Sequence, residues 1–78
     1  MISFQPFRDL IKERKISTYY LRNKCEPNNI DNKTIARLMS DQSVSTNTIN
    51  SLCVILNCDF SNIMEFIPEN DYKDDVSK

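Results

Sequence analysis

Residues 17–40 read STYYLRNKCEPNNIDNKTIARLMS, and this stretch decides the fold. Ser17 is a good N-cap for a helix, because its hydroxyl can accept a hydrogen bond from a free backbone amide. The helix must end before Pro27, since proline cannot continue a helix and disfavours helical geometry in the preceding residue. We expect Tyr19 to lie on the outer side of this helix. The apolar stripe of this helix consists of Tyr20, Leu21 and Cys25.

A second helix follows the polar turn. Asp31 is a good N-cap for it, and we expect the helix to cover residues 32–40. The side chains expected to face the core are Ile35, Leu38 and Met39. The opposite face consists of Asn32, Lys33, Ala36 and Arg37. The stretch therefore predicts two short helices, the second with one apolar and one polar face, joined by a turn.

Apolar residues at three-to-four spacing predict three further helices. Helix 1 covers residues 6–14. Ser45 or Thr46 caps helix 4, and Ser61 caps a short helix 5 that Pro68 closes. No segment shows a convincing alternation of apolar and polar residues, so no strand is predicted. The expected fold is all-α, with five helices in one compact domain.

The composition is that of a small soluble globular protein, with 40% hydrophobic and 27% charged residues. We assign residues 1–68 to a single domain and residues 69–78 to an acidic tail that we expect to be disordered. No apolar run approaches the roughly 20 residues that span a bilayer, and the first residues lack the order of a signal peptide. We therefore expect a cytoplasmic protein with no membrane partner.

The residue types exclude most catalytic and metal sites. The chain has no histidine and no glycine, which removes Ser-His-Asp and Cys-His pairs, glycine-rich phosphate loops and the HExxH zinc motif. Cys25, Cys53 and Cys58 have no CxxC spacing and cannot close a full disulfide framework. We expect them to act as small hydrophobic residues, with a partly exposed, redox-sensing Cys25 as a minor alternative. We predict no enzyme activity, no metal and no cofactor.

Charge is distributed unevenly along the chain, although the net charge is only −1. Residues 1–37 hold eight basic and four acidic side chains, a net charge of +4. Residues 38–78 hold two basic and seven acidic side chains, a net charge of −5. The asymmetry favours a first half that faces a polyanion, but charge alone supports solvated helix faces equally well.

The order of these signals resembles that of the Cro and lambda-repressor type of helix-turn-helix regulators, particularly the small stand-alone members. The segments that carry the resemblance are STYYLR (17–22), IDNKTIARL (30–38), VST (44–46), TINSLC (48–53), LNCD (56–59) and IMEFIP (63–68). The resemblance implies a lambda-repressor-like domain with its helix-turn-helix at helices 2 and 3. Two departures stand out: the turn after helix 2 is longer and lacks the usual glycine, and Arg22 replaces a small residue.

The resemblance also implies that helix 3 enters the major groove of duplex DNA and meets base edges with its exposed residues. Asn32 would pair with adenine and Arg37 with guanine, while Arg22 would lie outward toward a phosphate. The alternative is that the polar face of helix 3 only solubilises the protein. The implied DNA-binding residues are Thr18, Arg22, Asn32, Lys33, Thr34, Arg37, Thr46, Asn47 and Thr48.

One such domain offers few base contacts, so we expect a homodimer on a pseudo-palindromic operator. The expected dimer contact is helix 5, through Ile63, Met64, Phe66 and Ile67. The alternative is that these four residues only close the core over helices 1 and 4. The predicted function is a sequence-specific transcriptional regulator, expected to be a repressor. The competing interpretation is an antitoxin-like or antirepressor-like protein-interaction module on the same fold.

Overall fold

The computed structural model describes residues 1–68. The elements in chain order are β1 (Ile2–Ser3), α1 (Gln5–Glu13), α2 (Thr18–Asn23), α3 (Asn32–Met39), α4 (Thr46–Leu56), a single 3-10 turn (Phe60–Asn62) and β2 (Glu65–Phe66). The first four predicted helices are confirmed, with small differences at their ends. None of the helices in the described part of the chain has the length and apolar content needed to span a bilayer.

The predicted fifth helix is wrong. Asp59, and not Ser61, precedes the single 3-10 turn, and the Asp59 amide donates to Asn62 Oδ1 at 3.2 Å. The chain then extends into β2, which pairs antiparallel with β1 so that Ile2 faces Phe66. The expectation of no strand is therefore also wrong. Short-range periodicity could not reveal this sheet, because its two strands come from opposite ends of the described chain and strand formation depends on the partner.

The core draws on all four helices and on both segments that flank them. Ile63, which follows the 3-10 turn, is fully buried, and its carbonyl accepts a hydrogen bond from the Phe7 amide in the first turn of α1 at 3.1 Å. The Ile63 carbonyl thus accepts from one of the backbone N–H groups that have no partner within α1. The buried cluster consists of Phe4, Phe7, Ile11, Leu21, Ile30, Ile35, Leu38, Leu52, Leu56 and Ile63.

Two predicted core residues lie at the surface. Met39, the last residue of α3, is 39% exposed, and Tyr20 of α2 is 45% exposed. The buried residue of the six-residue helix α2 is Leu21, the neighbour of Tyr20 in sequence. Tyr19 faces solvent as expected, with 55% of its surface exposed.

Three helices end in a left-handed residue although the chain has no glycine. These residues are Lys15, Asp41 and Asn57, with φ values of 58°, 60° and 49°. In each case the next amide donates to the carbonyl five residues back: Ile16 to Ile11 at 2.8 Å, Gln42 to Arg37 at 2.9 Å, and Cys58 to Cys53 at 3.1 Å. This is the Schellman arrangement, which satisfies helix carbonyls and usually places glycine at the left-handed position.

The turn between α2 and α3 is held by its own hydrogen bonds. The Cys25 amide donates to Asn29 Oδ1 at 2.7 Å, and the Ile30 amide donates to the Leu21 carbonyl at 2.8 Å. The Cys25 thiol donates to the Tyr20 carbonyl at 3.3 Å. Cys25 is buried, although it lies beyond the end of α2, and this burial raises the pKa of its thiol. The alternative of a partly exposed Cys25 is therefore wrong.

Candidate nucleic-acid interface

The start of α3 is fixed by its cap. Asp31 adopts an extended conformation, and its Oδ1 accepts a hydrogen bond from the Thr34 amide at 3.1 Å. Hydrogen bonds from the side chain and the amide of Thr34 hold the pKa of Asp31 below its ordinary value, and the Arg37 charge adds a smaller effect. The Asp31 carboxylate is thus occupied by the helix terminus.

The helix separates polar from apolar side chains as its sequence predicts. Ile35 and Leu38 are buried in the core. Successive residues of an α-helix are rotated by about 100°, so the remaining residues fall on the opposite side. The exposed residues there are Asn32, Lys33, Ala36 and Arg37. Three polar side chains and one methyl group therefore form a continuous strip along the outer face of α3.

The predicted DNA-binding residues at the start of α4 lie beside the start of α3. Ser45 caps α4, with its hydroxyl accepting from the Thr48 amide at 3.2 Å. A surface groove of about 200 Å³ lies between the two helix starts. It is lined by Asn29, Ile30, Asp31, Thr34, Asn47, Thr48 and Ser51. Thr34 and Thr48 are half-buried in this groove, whereas Thr46 and Asn47 are exposed.

The helix α2 contacts α3 through its last turn. Arg22 is half-buried, and its Nη1 donates a hydrogen bond to Oδ1 of Asn32, the first residue of α3, at 3.0 Å. Thr18 at the start of α2 is half-buried, and Ser17 caps this helix by accepting from the Tyr20 amide at 3.1 Å. Of the residues that the sequence singles out on α2, α3 and α4, Arg22 lies in the last turn of α2, and the others lie at helix starts or on the outward face of α3.

Besides Arg22, two of the eight basic residues in the first half, Arg8 and Arg14, have partners that join structural elements. Arg8 Nη1 lies 2.8 Å from Asp41 Oδ1 and donates to the Leu38 carbonyl at 2.8 Å, while the Phe4 amide also donates to Asp41 at 2.7 Å. The Arg8 side chain, followed by the Phe4 amide, holds the pKa of Asp41 below its ordinary value. Arg14 donates to the Leu56 carbonyl at the end of α4. These contacts join α1 to the ends of α3 and α4.

The residues predicted for dimerisation do not form one surface. Ile63 is fully buried, so it is unavailable to a partner, and Met64 is half-buried against the core. Phe66 and Ile67 are 61% and 42% exposed. The alternative interpretation, in which these residues close the core, therefore applies to Ile63 and in part to Met64.

Helices α2 and α3, joined by a turn and with a polar outer face on α3, form a helix-turn-helix, and comparison with known protein families agrees with this description. The family model for the Cro/C1-type helix-turn-helix DNA-binding domain matches residues 7–69. The chain belongs to this family. Its fold is similar to the crystal structure of the transcriptional regulator VanUg (Form II), with 31% sequence identity, 87% of each chain covered and a TM-score of 0.73. No curated protein sequence matches the chain significantly.

Membership of the Cro/C1-type family confirms the sequence-based resemblance and supports a DNA-binding regulator. Sequence reasoning missed the contact between Arg8 and Asp41. The signal for it was the position of Asp41 directly after predicted helix 3, because an acidic residue is unfavourable at the C-terminus of a helix. It also missed the contact between Arg22 and Asn32. The signal for this contact was the replacement of a usually small residue by arginine in the last turn of α2.

Proposed function

We propose that this protein is a sequence-specific DNA-binding transcriptional repressor, and not an enzyme, that recognises the major groove with α3. The observation that supports this proposal most directly is the exposed polar strip of Asn32, Lys33 and Arg37 on a helix whose other face is buried. Within residues 1–68 the ion pairs are limited to Arg8 with Asp41, so no carboxylate neutralises Lys33 or Arg37 at close range. Both cations are available to an anionic partner.

The chemistry of the strip suits the edges of base pairs. Arg37 offers a planar fork of donors that matches the two acceptors of guanine, and Lys33 can donate to a base or to a phosphate. Ala36 is also exposed on this face and is small enough for close approach to a thymine methyl group. Thr46 and Asn47 are exposed at the start of α4, where the first amides of the helix lack internal partners, and this exposure supports a role as donors to phosphates.

The salt dependence of binding tests this proposal. Binding of the full chain to a mixed-sequence DNA duplex should weaken steeply as salt rises, with a log–log slope of about −0.9 for each phosphate neutralised. Lys33→Gln should reduce that slope by about 1 if Lys33 contacts a phosphate. Lys12→Gln, on α1, is a control that should leave the slope unchanged. An affinity for duplex DNA that is immeasurable at low salt would contradict the proposal.

We also propose that the repressor is a homodimer on a pseudo-palindromic site, with its contact on the apolar end patch of Met1, Ile2, Phe66 and Ile67. These side chains are between 42% and 61% exposed. Ile2 lies opposite Phe66 in the sheet, and the Ile67 amide donates to the Met1 carbonyl at 2.8 Å, so the four residues lie together at the two-stranded sheet. A two-fold interface would bury the same apolar surface on both subunits.

Sedimentation at micromolar concentration tests this dimer. Phe66→Glu should convert a wild-type dimer into a monomer, because it places a charge in an apolar contact. Val54→Glu is the matched control, since Val54 is 59% exposed on α4 and lies outside the patch. A wild-type protein that stays monomeric on its DNA site, or a dimer that Phe66→Glu leaves intact, would contradict this part of the proposal.

The apolar end patch also supports the competing function. A protein-interaction module of the antitoxin or antirepressor kind would use the exposed Phe66 and Ile67 for a partner protein and would have weak or no DNA affinity. Binding through an apolar surface responds little to salt, whereas binding to phosphates responds strongly. The salt titration described above therefore separates the two functions.

A further inference from the structure

The hydrogen bond between Arg22 and Asn32 limits what Asn32 can offer to a base. Within residues 1–68 it is the one side-chain to side-chain hydrogen bond that joins α2 to α3, at 3.0 Å. Arg22 is half-buried, whereas Asn32 is exposed at the start of the helix proposed to enter the major groove. A half-buried arginine thus holds a side chain that belongs to the proposed base-contacting residues.

The chemistry of the guanidinium decides how the Asn32 amide is turned. Arginine has five N–H donors and no acceptor, so the amide atom that faces Arg22 must be the oxygen. The planar amide then directs its Nδ2 group away from Arg22. Adenine recognition by asparagine requires both ends of the amide, because Oδ1 accepts from the adenine N6 group while Nδ2 donates to N7. With Oδ1 held by Arg22, the outward end of Asn32 is a donor.

Among the residues that the structure describes, the charge of Arg22 also lacks a close counterion. The ion pair in residues 1–68 joins Arg8 to Asp41, and no carboxylate lies within 4 Å of the Arg22 guanidinium. Only one of its donors is used by Asn32. The remaining donors can contact a phosphate that flanks the base facing Asn32. Bound DNA would then hold the Arg22 side chain, and with it the Asn32 amide, more firmly in place.

We propose that Arg22 is a specificity-determining residue that fixes Asn32 as a hydrogen-bond donor, so that guanine or thymine is preferred over adenine as the facing base. Guanine offers two acceptors, N7 and O6, and thymine offers O4 in the major groove, whereas adenine offers N7 beside an N6 donor with which the Nδ2 donor cannot pair. The inference rests on the proposed DNA-binding function and revises the adenine contact that the sequence predicts for Asn32.

The test compares the full wild-type chain with Arg22→Met, which keeps an unbranched apolar side chain but has no donor. Each protein selects sequences from duplex DNA with a randomised central segment. Arg22→Met should release the Asn32 amide and shift the preference at one position of each half-site toward adenine, by about fivefold, the value of one hydrogen bond. Asn32→Ala identifies that position, because this variant should lose base preference there alone.

Two controls separate specificity from general electrostatics. Lys24→Met removes a nearby positive charge in the turn and should leave the base preference at the Asn32 position unchanged. In the Asn32→Ala background, Arg22→Met should lower the affinity for all sequences equally, because the pair no longer exists. A merely structural role of Arg22 would change stability without changing the base preference.

The outcomes distinguish this inference from the proposed function. If the wild-type chain enriches no sequence from the library, the proposed sequence-specific binding fails. If it enriches a defined site but folded Arg22→Met enriches the same base at every position, the inference on Arg22 is overturned and the function stands. A wild-type preference for adenine at the position lost in Asn32→Ala would also overturn the inference.

Discussion

Lys15 offers a direct test of how this glycine-free chain ends its helices. Lys15 has a φ of 58° at the end of α1, where the Schellman arrangement requires a left-handed residue. Its side chain is exposed, and no hydrogen bond or ion pair of that side chain occurs within residues 1–68. The substitution Lys15→Gly therefore removes a steric conflict at Cβ and keeps every backbone hydrogen bond at this turn.

Two opposing effects set the magnitude. A left-handed conformation costs a residue with a Cβ atom about 1–2 kcal/mol. Glycine also lowers the free energy of unfolding by about 0.4–1 kcal/mol, because it increases the conformational entropy of the unfolded chain. The difference predicts that Lys15→Gly stabilises the protein by about 0.5–1 kcal/mol. For a domain of this size, that corresponds to a rise in Tm of about 2–8 °C.

Urea denaturation and thermal melts of matched variants provide the assay. Lys15→Ala keeps the Cβ atom and should leave the free energy of unfolding near the wild-type value. Asn57→Gly should give a smaller gain than Lys15→Gly, because asparagine tolerates the left-handed region better than lysine does. A Lys15→Gly variant that is less stable than Lys15→Ala would refute the reasoning.

Three further predictions concern stability and the thiols. Ser45→Ala removes the cap of α4 and should lower the free energy of unfolding by about 1 kcal/mol, whereas Ser43→Ala in the adjacent loop should have little effect in the same urea titration. The pKa of Asp41 is lowered in the folded state, chiefly by Arg8. Its contribution to stability is therefore present above the unfolded-state pKa and is lost as the pH falls below about 4. Arg8→Met should flatten the dependence of the urea midpoint on pH. Burial raises the pKa of the Cys25 thiol, so this residue should react with iodoacetamide more slowly in native protein than in unfolded protein. Elemental analysis should find no zinc, and stoichiometric metal would contradict the assignment of structural cysteines.

Local signals predicted the helices well because their caps act within one turn. Ser17, Asp31 and Ser45 each cap a helix through a side-chain oxygen, as the sequence indicates. The buried and exposed faces of α3 also follow from helical periodicity, since Ile35 and Leu38 share one side. Such features depend on residues three or four positions apart, so the sequence contains all the information that they require.

Features that depend on distant partners were not predictable in this way. Phe66 matched a helical spacing with Ile63, but its pairing with Ile2 draws the segment into a strand. The left-handed helix ends escaped notice because glycine, the usual marker, is replaced by residues such as Lys15. The contact between Arg22 and Asn32 spans a turn of unusual length, and its geometry depends on how that turn places α3.

The measurement that tests the central claim most directly is the affinity of Arg37→Ala for the DNA site that the wild-type protein selects. We expect a loss of about 1–3 kcal/mol, or about 5- to 150-fold, for this site, with a much smaller change for a scrambled duplex. Lys12→Ala, a cation on α1 outside the helix-turn-helix, should bind the selected site like the wild type, and circular dichroism should show both variants folded. A folded Arg37→Ala protein that binds the selected site with wild-type affinity would contradict the claim that α3 recognises DNA.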